Sequence, residues 1–580
     1  MGGARAAHPP ACAPLPPPPP PPRVPPPTRP PRPRAAPQAE DLFICLEGED
    51  SDGHDYALDA VRAGACAVVA SRPLPEVPDE CPVLVVEDTL AALHAIGNAF
   101  YDWPSQHMFT VGVTGTNGKT TTTWLVRSVL EQMAFVVGMV GTIEYALAED
   151  RLDDAGELWV PTERDPTVHR KSSTPYHIAP YRGKYAVPNT TPGPLSMLQL
   201  MAGMRDRGAQ AAVVEASSHA LSQGRLGGTD IDVAVFTNLS QDHLDFHGSM
   251  DEYKRSKLGL FRALAAPAGA LRAEMTRLEE QLEALGKAEG GAEDAGAGAG
   301  AEDARDALED ELAAVSEELA DYLGRKRCVV NLDDPYVDEF RAAAGELPVV
   351  TFAVNDKDAD VVAEKVSKTI WESEMRIRVN YGEKQLRIQV VTPLVGQHNV
   401  YNVLAAVATG LALGVPLDAI VKGIEAVEVV PGRMEIIDEG QGFPVVVDYA
   451  HTPDALSRLL DTVRECGAKR IITVFGCGGD RDPSKRPLMG EVAHFKSDMV
   501  FFTNDNPRSE EPNNIISDIV SGLPSEVKDR HAGSVFPWLQ DRIRVPVSPA
   551  PAPQPAPPPP PPPGDESMLY EGISLPATVR

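Results

Sequence analysis

Within this chain of 580 residues, the segment Val113-Thr-Gly-Thr-Asn-Gly-Lys-Thr-Thr121 has the composition of a phosphate cradle. Gly115 and Gly118 allow a tight turn with backbone N–H groups facing inward, and Thr116 and Asn117 lie between them. Lys119 offers a charge to the β and γ phosphates, Thr120 offers a hydroxyl to magnesium, and Thr121 continues into a helix whose dipole adds to the attraction. Val113 stands where the common P-loop has its first glycine, so the loop is a variant of that motif. Two further groups suit phosphoryl chemistry. Glu215 lies in Val-Val-Glu-Ala-Ser-Ser-His219, and His243 in Thr237-Asn-Leu-Ser-Gln-Asp-His-Leu-Asp245. Alone, either would be read as structural. Each follows a strand-like run downstream of the phosphate loop, at the edge where α/β sheets bind ligands, and there they can hold a divalent cation.

These groups need a sheet to present them. Strand-like runs at 109–113, 136–140, 211–214 and 233–237 surround the motifs, and helical stretches separate the first three, which predicts a largely parallel sheet. The helix after the loop runs to about residue 132. Residues 41–100 read as a smaller α/β unit, with runs at 42–46, 67–70 and 83–86 and helical stretches at 56–63 and 90–100. A third α/β unit begins near Gly432, with strands at 444–447, 470–475 and 498–503. In 266–327 the pattern breaks. Leu271, Met275, Leu278, Leu282 and Leu285 step by four and three, as do Leu308, Leu312, Val315, Leu319 and Tyr322. Such spacing predicts an inserted antiparallel helical hairpin, either a docking arm or a solvated acidic one. The domains expected are thus 1–39 (proline-rich extension), 40–105, 106–431 with insertions at 146–186 and 266–327, 432–535, and a low-complexity tail, 536–580.

Net charge is −30, from 83 acidic and 53 basic residues, which argues against direct binding of nucleic acid or an anionic membrane. No apolar run reaches the ~18 residues of a membrane span. The seven cysteines form no CxxC pair, so neither a zinc site nor a disulfide framework is expected. Cys477, in a glycine cluster, reads as a small buried residue. Residues 1–39 carry arginines and no acid, like an organelle transit peptide without its usual serines; a disordered tail or a wrongly joined exon accounts for them equally.

The spelling GTNGKTT resembles Mur ligases and folylpolyglutamate synthases. Further segments match the Mur ligases in order: Asn189-Thr-Thr191, Asn331-Leu-Asp-Asp-Pro335, Gly396-Gln-His-Asn399 with Asn402, Pro431-Gly-Arg-Met-Glu435, Asp448-Tyr-Ala-His-Thr-Pro453, Gly476-Cys-Gly-Gly-Asp-Arg-Asp482 and Asp505-Asn-Pro-Arg508. The resemblance implies a three-domain α/β fold: a small N-terminal domain, a central P-loop ATPase-like parallel sheet and a Rossmann-like C-terminal domain. It implies a monomeric, ATP- and Mg²⁺-dependent, ADP-forming acid–amino-acid ligase of peptidoglycan precursor synthesis. The acid would be the D-glutamate carboxylate of UDP-N-acetylmuramoyl-L-alanyl-D-glutamate, the amine meso-2,6-diaminopimelate, and the intermediate an acyl phosphate. Family roles carry over to Lys119, Glu215, His243 and Lys257 as catalytic residues. Lys257 stands four after Tyr253 and four before Phe261, where the family lysine becomes N6-carboxylysine and can hold magnesium with Thr120, Glu215 and His243. ATP would contact residues 115–121, His398, Asn399 and Asn402 towards adenine, and Arg433 and Asp448. The muramoyl peptide would meet Glu49, Asp50, Ser51, Asn189, Thr190, Thr191, Ser217, Gln223 and Arg225. Diaminopimelate would meet Arg481, Asp505, Asn506, Pro507 and Arg508, with Arg508 able to fork onto its distal carboxylate.

The chain departs from the family pattern where proline-rich sequence replaces the early Ser-Arg element that touches uridine. It departs again after Leu523, where no Gly-Lys-Gly-His-Glu segment follows. Plant and algal relatives are associated with plastid transcription complexes, so the resemblance also permits a catalytically impaired component bound to plastid RNA polymerase, in the chloroplast stroma rather than the cytoplasm. A folylpolyglutamate synthase-like ligase would share the phosphate loop but lack Asp505-Asn-Pro-Arg508.

Overall fold

Apolar runs such as Ala-Ala-Val-Val-Glu and Val-Ala-Val-Phe can be buried on both faces only inside a sheet covered by helices on each side. The computed structural model describes residues 41–48, 51–143, 145–146, 189–289, 298–382 and 384–525. Glu49, Asp50, nearly all of the expected 146–186 insertion and both proline-rich tails lie outside these residues. Contacts divide the described chain into a unit of residues 90–448 and a second made of 41–89 with 449–525.

The N-terminal piece is a parallel three-stranded sheet of β1 (Asp41–Ile44), β2 (Ala65–Ala70) and β3 (Val83–Val85), with α1 (Ala57–Ala63) between β1 and β2. Phe43, Val68 and Cys81 form its core. After α2 (Thr89–Tyr101) the central sheet begins. Its elements are β4 (Phe109–Thr114), α3 (Lys119–Glu131), β5 (Val137–Val140), β6 (Tyr145–Ala146), α4 (Pro194–Asp206), β7 (Ala211–Glu215), α5 (Ser218–Ser222), β8 (Val233–Phe236), α6 (Leu244–His247), α7 (Met250–Glu289) and α8 (Gly298–Arg325). They continue as β9 (Arg327–Asn331), α9 (Val337–Ala343), β10 (Val349–Ala353), β11 (Val361–Lys368), β12 (Ser373–Tyr381), β13 (Lys384–Thr392), α10 (Gln397–Ala412) and α11 (Leu417–Glu425).

The ten strands lie in the order β13-β12-β11-β10-β9-β8-β4-β7-β5-β6. From β11 to β5 they run parallel. The parallel core was expected; the sheet is mixed because β12 and β13 add an antiparallel meander at one edge and β6 an antiparallel pair at the other. Alternation along each strand sends side chains to two apolar layers. Val111, Val113 and Val213 pack with Leu125 of α3, Val403 of α10 and Ile420 of α11. Ala212, Val214 and Phe236 pack with Met201 of α4, Phe261 of α7 and Phe340 of α9. Because β4 lies between β7 and β8, the chain departs from it in opposite directions, which opens a crevice at the strands' C-terminal ends.

The expected hairpin is formed by α7 and α8, with Leu278 and Leu319 buried. It is not a separate insert beginning at 266. Helix α7 starts at Met250 and runs unbroken through Lys257 and Pro267, because buried Leu258, Phe261, Leu264 and Ala268 keep its inner face apolar past the expected boundary. The strand expected at 444–447 also differs in its partner. As β15 (Val445–Val447) it pairs antiparallel with β14 (Glu435–Ile437), a local hairpin within the unit that ends at Asp448. In the C-terminal piece, β16 (Ile472–Phe475) and β17 (Met499–Phe502) pair in parallel. Leu460 of α12 (Pro453–Glu465), Met489 of α13 (Lys485–Lys496) and Ile519 of α14 (Pro512–Ser521) share its core.

Candidate active site

The phosphate loop lies between β4 and α3, and the exit of β8 holds it in shape. Thr116 N–H donates to Asn238 O (2.8 Å), and Asn117 N–H to Asn238 Oδ1 (3.1 Å). Thr237 Oγ1 donates to Asn117 O (2.7 Å). Gly118, at φ 87°, caps α3, and a Cβ there would overlap Asn402 Oδ1. Helix α10 therefore abuts the loop itself. Asn402 Nδ2 donates to Asn399 Oδ1 (2.9 Å), and Asn399 Nδ2 to Val395 O (2.8 Å), while His398 is half-buried on the same first turn.

Two lysines converge on one carbonyl. Lys119 Nζ donates to Gly115 O (3.0 Å) and Thr116 O (2.9 Å), and Lys257 Nζ to Gly115 O (2.7 Å). Burial pushes the Lys119 pKa down, against the charges of Glu215 and Asp242. Burial, followed by the charge of Lys119, pushes Lys257 well below the usual lysine range. Lys257 also lies over the Tyr253 ring, 4.5 Å from its centroid, and the Tyr253 hydroxyl donates to Thr116 Oγ1 (3.1 Å).

Glu215 ends β7 and is buried. Its carboxylate accepts from Thr120 Oγ1 (3.1 Å), Thr142 N–H (2.8 Å) and Thr142 Oγ1 (3.0 Å). A Cβ at Gly141 would overlap Glu215 Oε1. Gly141 and Thr142 were not singled out in the sequence; their signal was their place just after β5. Arg433 Nη2 donates to Thr120 Oγ1 (3.2 Å), and Met434 N–H to Asp448 Oδ2 (2.8 Å), so both residues stand at this end of the central unit.

His243 occupies the left-handed region at φ 52°, a conformation a non-glycine residue keeps only where its surroundings impose it. Its ring lies edge-on to His219, 4.7 Å between centroids, and Nε2 is 3.5 Å from Asp242 Oδ2. Burial lowers its pKa to about 4 despite Asp242, so the imidazole is neutral near pH 7. His219 and Asp242 appeared in the motifs without a role, and both prove to be neighbours of His243.

The residues suit a divalent cation: a threonine hydroxyl and a carboxylate supply the oxygens a hard ion prefers, and a neutral imidazole adds a nitrogen donor. Among the described residues, the one trio of Asp, Glu, His or Cys with ligand atoms within 4.8 Å of one another is elsewhere, at Glu47, Asp52 and His54. There His54 is already engaged, by Asp52 at Nδ1 (2.5 Å) and by the Ser71 N–H at Nε2 (2.9 Å). At the phosphate loop, a cation held by Glu215 and His243 thus needs further oxygens from phosphate, water or a modified Lys257.

Next to Glu215, Thr191 Oγ1 donates to the Glu215 carbonyl (2.5 Å) and to Ser217 Oγ (3.2 Å). Arg225 reaches Thr191 O (2.9 Å) and Gln223 Oε1 (2.5 Å). Thr190 Oγ1 is 3.1 Å from Thr142 Oγ1, and Asn189 O accepts from the Tyr145 hydroxyl. Asn189, Thr190, Ser217, Gln223 and Arg225 thus form one surface beside the carboxylate, with Thr191 buried beneath it as the hydrogen-bonded link to Glu215 and Ser217. Ser51 belongs to the N-terminal piece, in a turn closed by Gly48 N–H to Ser51 O (2.8 Å).

The C-terminal piece gathers the rest. Arg508, at φ 50°, donates to Gly479 O (2.6 Å), and Gly479 N–H to Asn506 O (3.0 Å). Asp505, Asn506 and Arg481 are exposed beside this junction, with Pro507 half-buried. Cys477 is buried against Met489, and burial raises its thiol pKa.

Comparison with known proteins agrees with this arrangement. The Mur ligase middle domain matches residues 113–285 and 306–410, the Mur ligase glutamate ligase domain 432–544, and the Mur ligase family catalytic domain 37–101. The UDP-N-acetylmuramoyl-L-alanyl-D-glutamate–2,6-diaminopimelate ligase of Geobacillus kaustophilus is 37% identical over 84% of this chain and 80% of its own length. The chloroplastic MurE homolog of Arabidopsis thaliana is 36% identical over 84% of this chain and 51% of its own. A solved structure of a UDP-N-acetylmuramoyl-L-alanyl-D-glutamate–2,6-diaminopimelate ligase superposes with TM-score 0.52 at 26% identity, covering 84% of this chain and 80% of that one. With the phosphate loop, the buried lysine and the strand-end carboxylate in one crevice, the chain belongs to the Mur ligase family.

Proposed function

We propose that the chain joins the D-glutamate carboxylate of UDP-N-acetylmuramoyl-L-alanyl-D-glutamate to an amine of meso-2,6-diaminopimelate, with ATP converted to ADP and phosphate. The observation that carries this reading is the convergence of Lys119, Lys257, Glu215 and His243 at the C-terminal ends of β4, β7 and β8. The identity to ligases of that name supports the choice of substrates.

In this reading the substrate carboxylate oxygen attacks the γ-phosphorus and ADP leaves. The amine then displaces phosphate from the acyl phosphate and gives up a proton. Lys119 and the loop N–H groups hold the β and γ phosphates in line, where positioning and charge dominate catalysis. Thr142 fixes the Glu215 carboxylate, and Arg433 brings a second cation to Thr120. The surface of Thr190, Ser217 and Arg225, braced from below by buried Thr191, holds the muramoyl peptide beside them. Magnesium, held by Thr120, Glu215 and His243, would screen the anionic reactants. A low-pKa Lys257 is neutral often enough to add to CO₂, forming the carbamate and releasing a proton, which would set an anion beside the Lys119 ammonium at Gly115 O.

Phosphate release by the purified chain tests the proposal. Turnover should require ATP, the UDP-dipeptide and meso-diaminopimelate together; release that ignores diaminopimelate would remove it. Residence in the plastid stroma as a monomer is the accompanying proposal, supported by acid-free residues 1–39 and the chloroplastic Arabidopsis relative. That location also favours a second reading, attachment to a plastid RNA polymerase complex. It predicts co-purification that survives Lys119→Ala.

A further inference from the structure

Arg486 is the largest fully buried side chain in the protein's described residues, although it is an arginine. It lies on the first turn of α13, in the C-terminal piece. Its guanidinium forks onto Glu510, with Nη2 to Oε1 at 2.7 Å and Nη1 to Oε2 at 2.8 Å. Nη1 also donates to Asp518 Oδ2 on α14 (2.8 Å), and Nη2 reaches Gly478 O (3.4 Å). Glu510 Oε1 in turn accepts from the Asp480 N–H (2.6 Å). Asp480, itself at φ 51°, takes the Ser509 hydroxyl on Oδ1 (2.6 Å) and the Ser509 N–H on Oδ2 (3.2 Å).

The network thus spans two loops, 476–482 and 505–510, and ties both to the helices behind them. Each loop carries a non-glycine residue in the left-handed region, Asp480 and Arg508, that an isolated loop would not hold. Arg481 and Arg508, the cations expected to grip the amino-acid substrate, extend from these two loops. A buried charge is tolerated only when paired, and here the pairing joins the two loops rather than filling a core.

We infer that Arg486 is a positioning residue that holds the loops bearing Arg481 and Arg508 in the register in which they accept the amino-acid substrate. The inference deepens the ligase proposal and rests on its assignment of these loops. A planar fork is essential to it, because a lysine carries its three donors on one nitrogen and cannot present two parallel N–H bonds to Glu510 while also spanning to Asp518 and Gly478.

The experiment compares Arg486→Lys, Arg486→Met and Glu510→Gln with the wild type, using Arg464→Ala, which removes an exposed ion pair to Asp498, as control. Steady-state kinetics and amide hydrogen exchange are both read. The expected result for Arg486→Lys is a KM for meso-diaminopimelate raised on the order of 10²-fold, as loss of ångström-scale alignment implies. The KM for ATP should stay within about twofold, since the phosphate loop is untouched. Exchange should quicken at residues 478–481 and 506–510 while amides of α12 and β16 stay protected. An unchanged diaminopimelate KM in the folded Lys and Gln variants would overturn the inference. So would a joint rise of every KM with protection lost throughout the C-terminal piece, since that is a merely structural role. If the wild type itself does not respond to diaminopimelate, the ligase assignment falls. The exchange pattern then still decides whether Arg486 holds the loops.

Discussion

Two lysine side chains on one carbonyl oxygen set the electrostatics of the crevice, and they are not equivalent. Lys119 opens a helix and has Glu215 and Asp242 in its field, so its charge has a use when phosphates arrive. Replacing it by alanine should slow the phosphoryl step by on the order of 10² or more, read as single-turnover formation of ADP; full activity in Lys119→Ala would contradict its role. Lys257 is the more deeply conflicted. Its folded pKa is depressed, so the unfolded chain binds the proton more readily wherever pH lies between the folded value and 10.5. Lys257 therefore withdraws stability as pH falls below about 10.5, and at neutral pH it is a burden on the fold. Lys257→Met should abolish turnover yet raise stability by on the order of 1 kcal/mol near pH 7, and flatten the dependence of Tm on pH between 7 and 10.5. Bicarbonate should raise the Tm of the wild type and not of the variant. A Tm lowered by Lys257→Met would show that the amine is stabilising as it stands.

At the scale of elements, the base of the arm is the place to test what holds the sheet. Where α8 returns to β9, buried Lys326 donates to Asp230 Oδ1 (2.6 Å), Asp232 Oδ1 (2.8 Å) and Ile231 O (2.9 Å). Asp232 also accepts the Thr110 N–H (2.8 Å) at the start of β4. Burial raises the Asp232 pKa even against Lys326, so removing the cation leaves a poorly solvated carboxylate. Lys326→Met should cost about 3 kcal/mol in urea unfolding of the central unit, at the low end for a broken buried pair because Asp230 still reaches water. Adding Asp230→Asn and Asp232→Asn should recover most of that loss; a triple variant as weak as the single one would mean packing, not charge, is at stake. The strands around this triad were legible as strand-like runs at 109–113, 211–214 and 233–237. The meander β11–β13 was not, because its outer strand mixes Lys384, Gln385 and Arg387 with few buried residues, so no clear period stands out. The same limit hid Thr142. One threonine after a short strand has no motif, and its two hydrogen bonds to Glu215 exist only once β5 and β7 are side by side.

For the whole molecule, the separate cores matter more than the shared chain. One unit, residues 90–448, encloses the apolar layers on both faces of the ten-stranded sheet, and the N- and C-terminal pieces each have a core of their own. Such a chain should not unfold as one two-state system, so a single Tm would hide which part a ligand touches. The phosphate loop, Glu215, His243, Lys257 and Arg433 all belong to residues 90–448, while Arg481, Arg486 and Arg508 belong to the other unit. A nucleotide that binds the folded loop alone stabilises the part that contains it, by about 2.7 kcal/mol at a hundredfold excess over Kd. In scanning calorimetry, a non-hydrolysable ATP analogue with magnesium should therefore shift one transition upward and leave the other in place. Lys119→Ala should erase the shift, read against the variant's own transitions in the absence of nucleotide, because the ammonium at the mouth of the loop is gone. Meso-diaminopimelate alone should act on the remaining transition, and Arg486→Lys should weaken that effect. If nucleotide moves neither transition, the loop at 115–121 does not bind it, and the acyl-phosphate route has no source for its phosphoryl group.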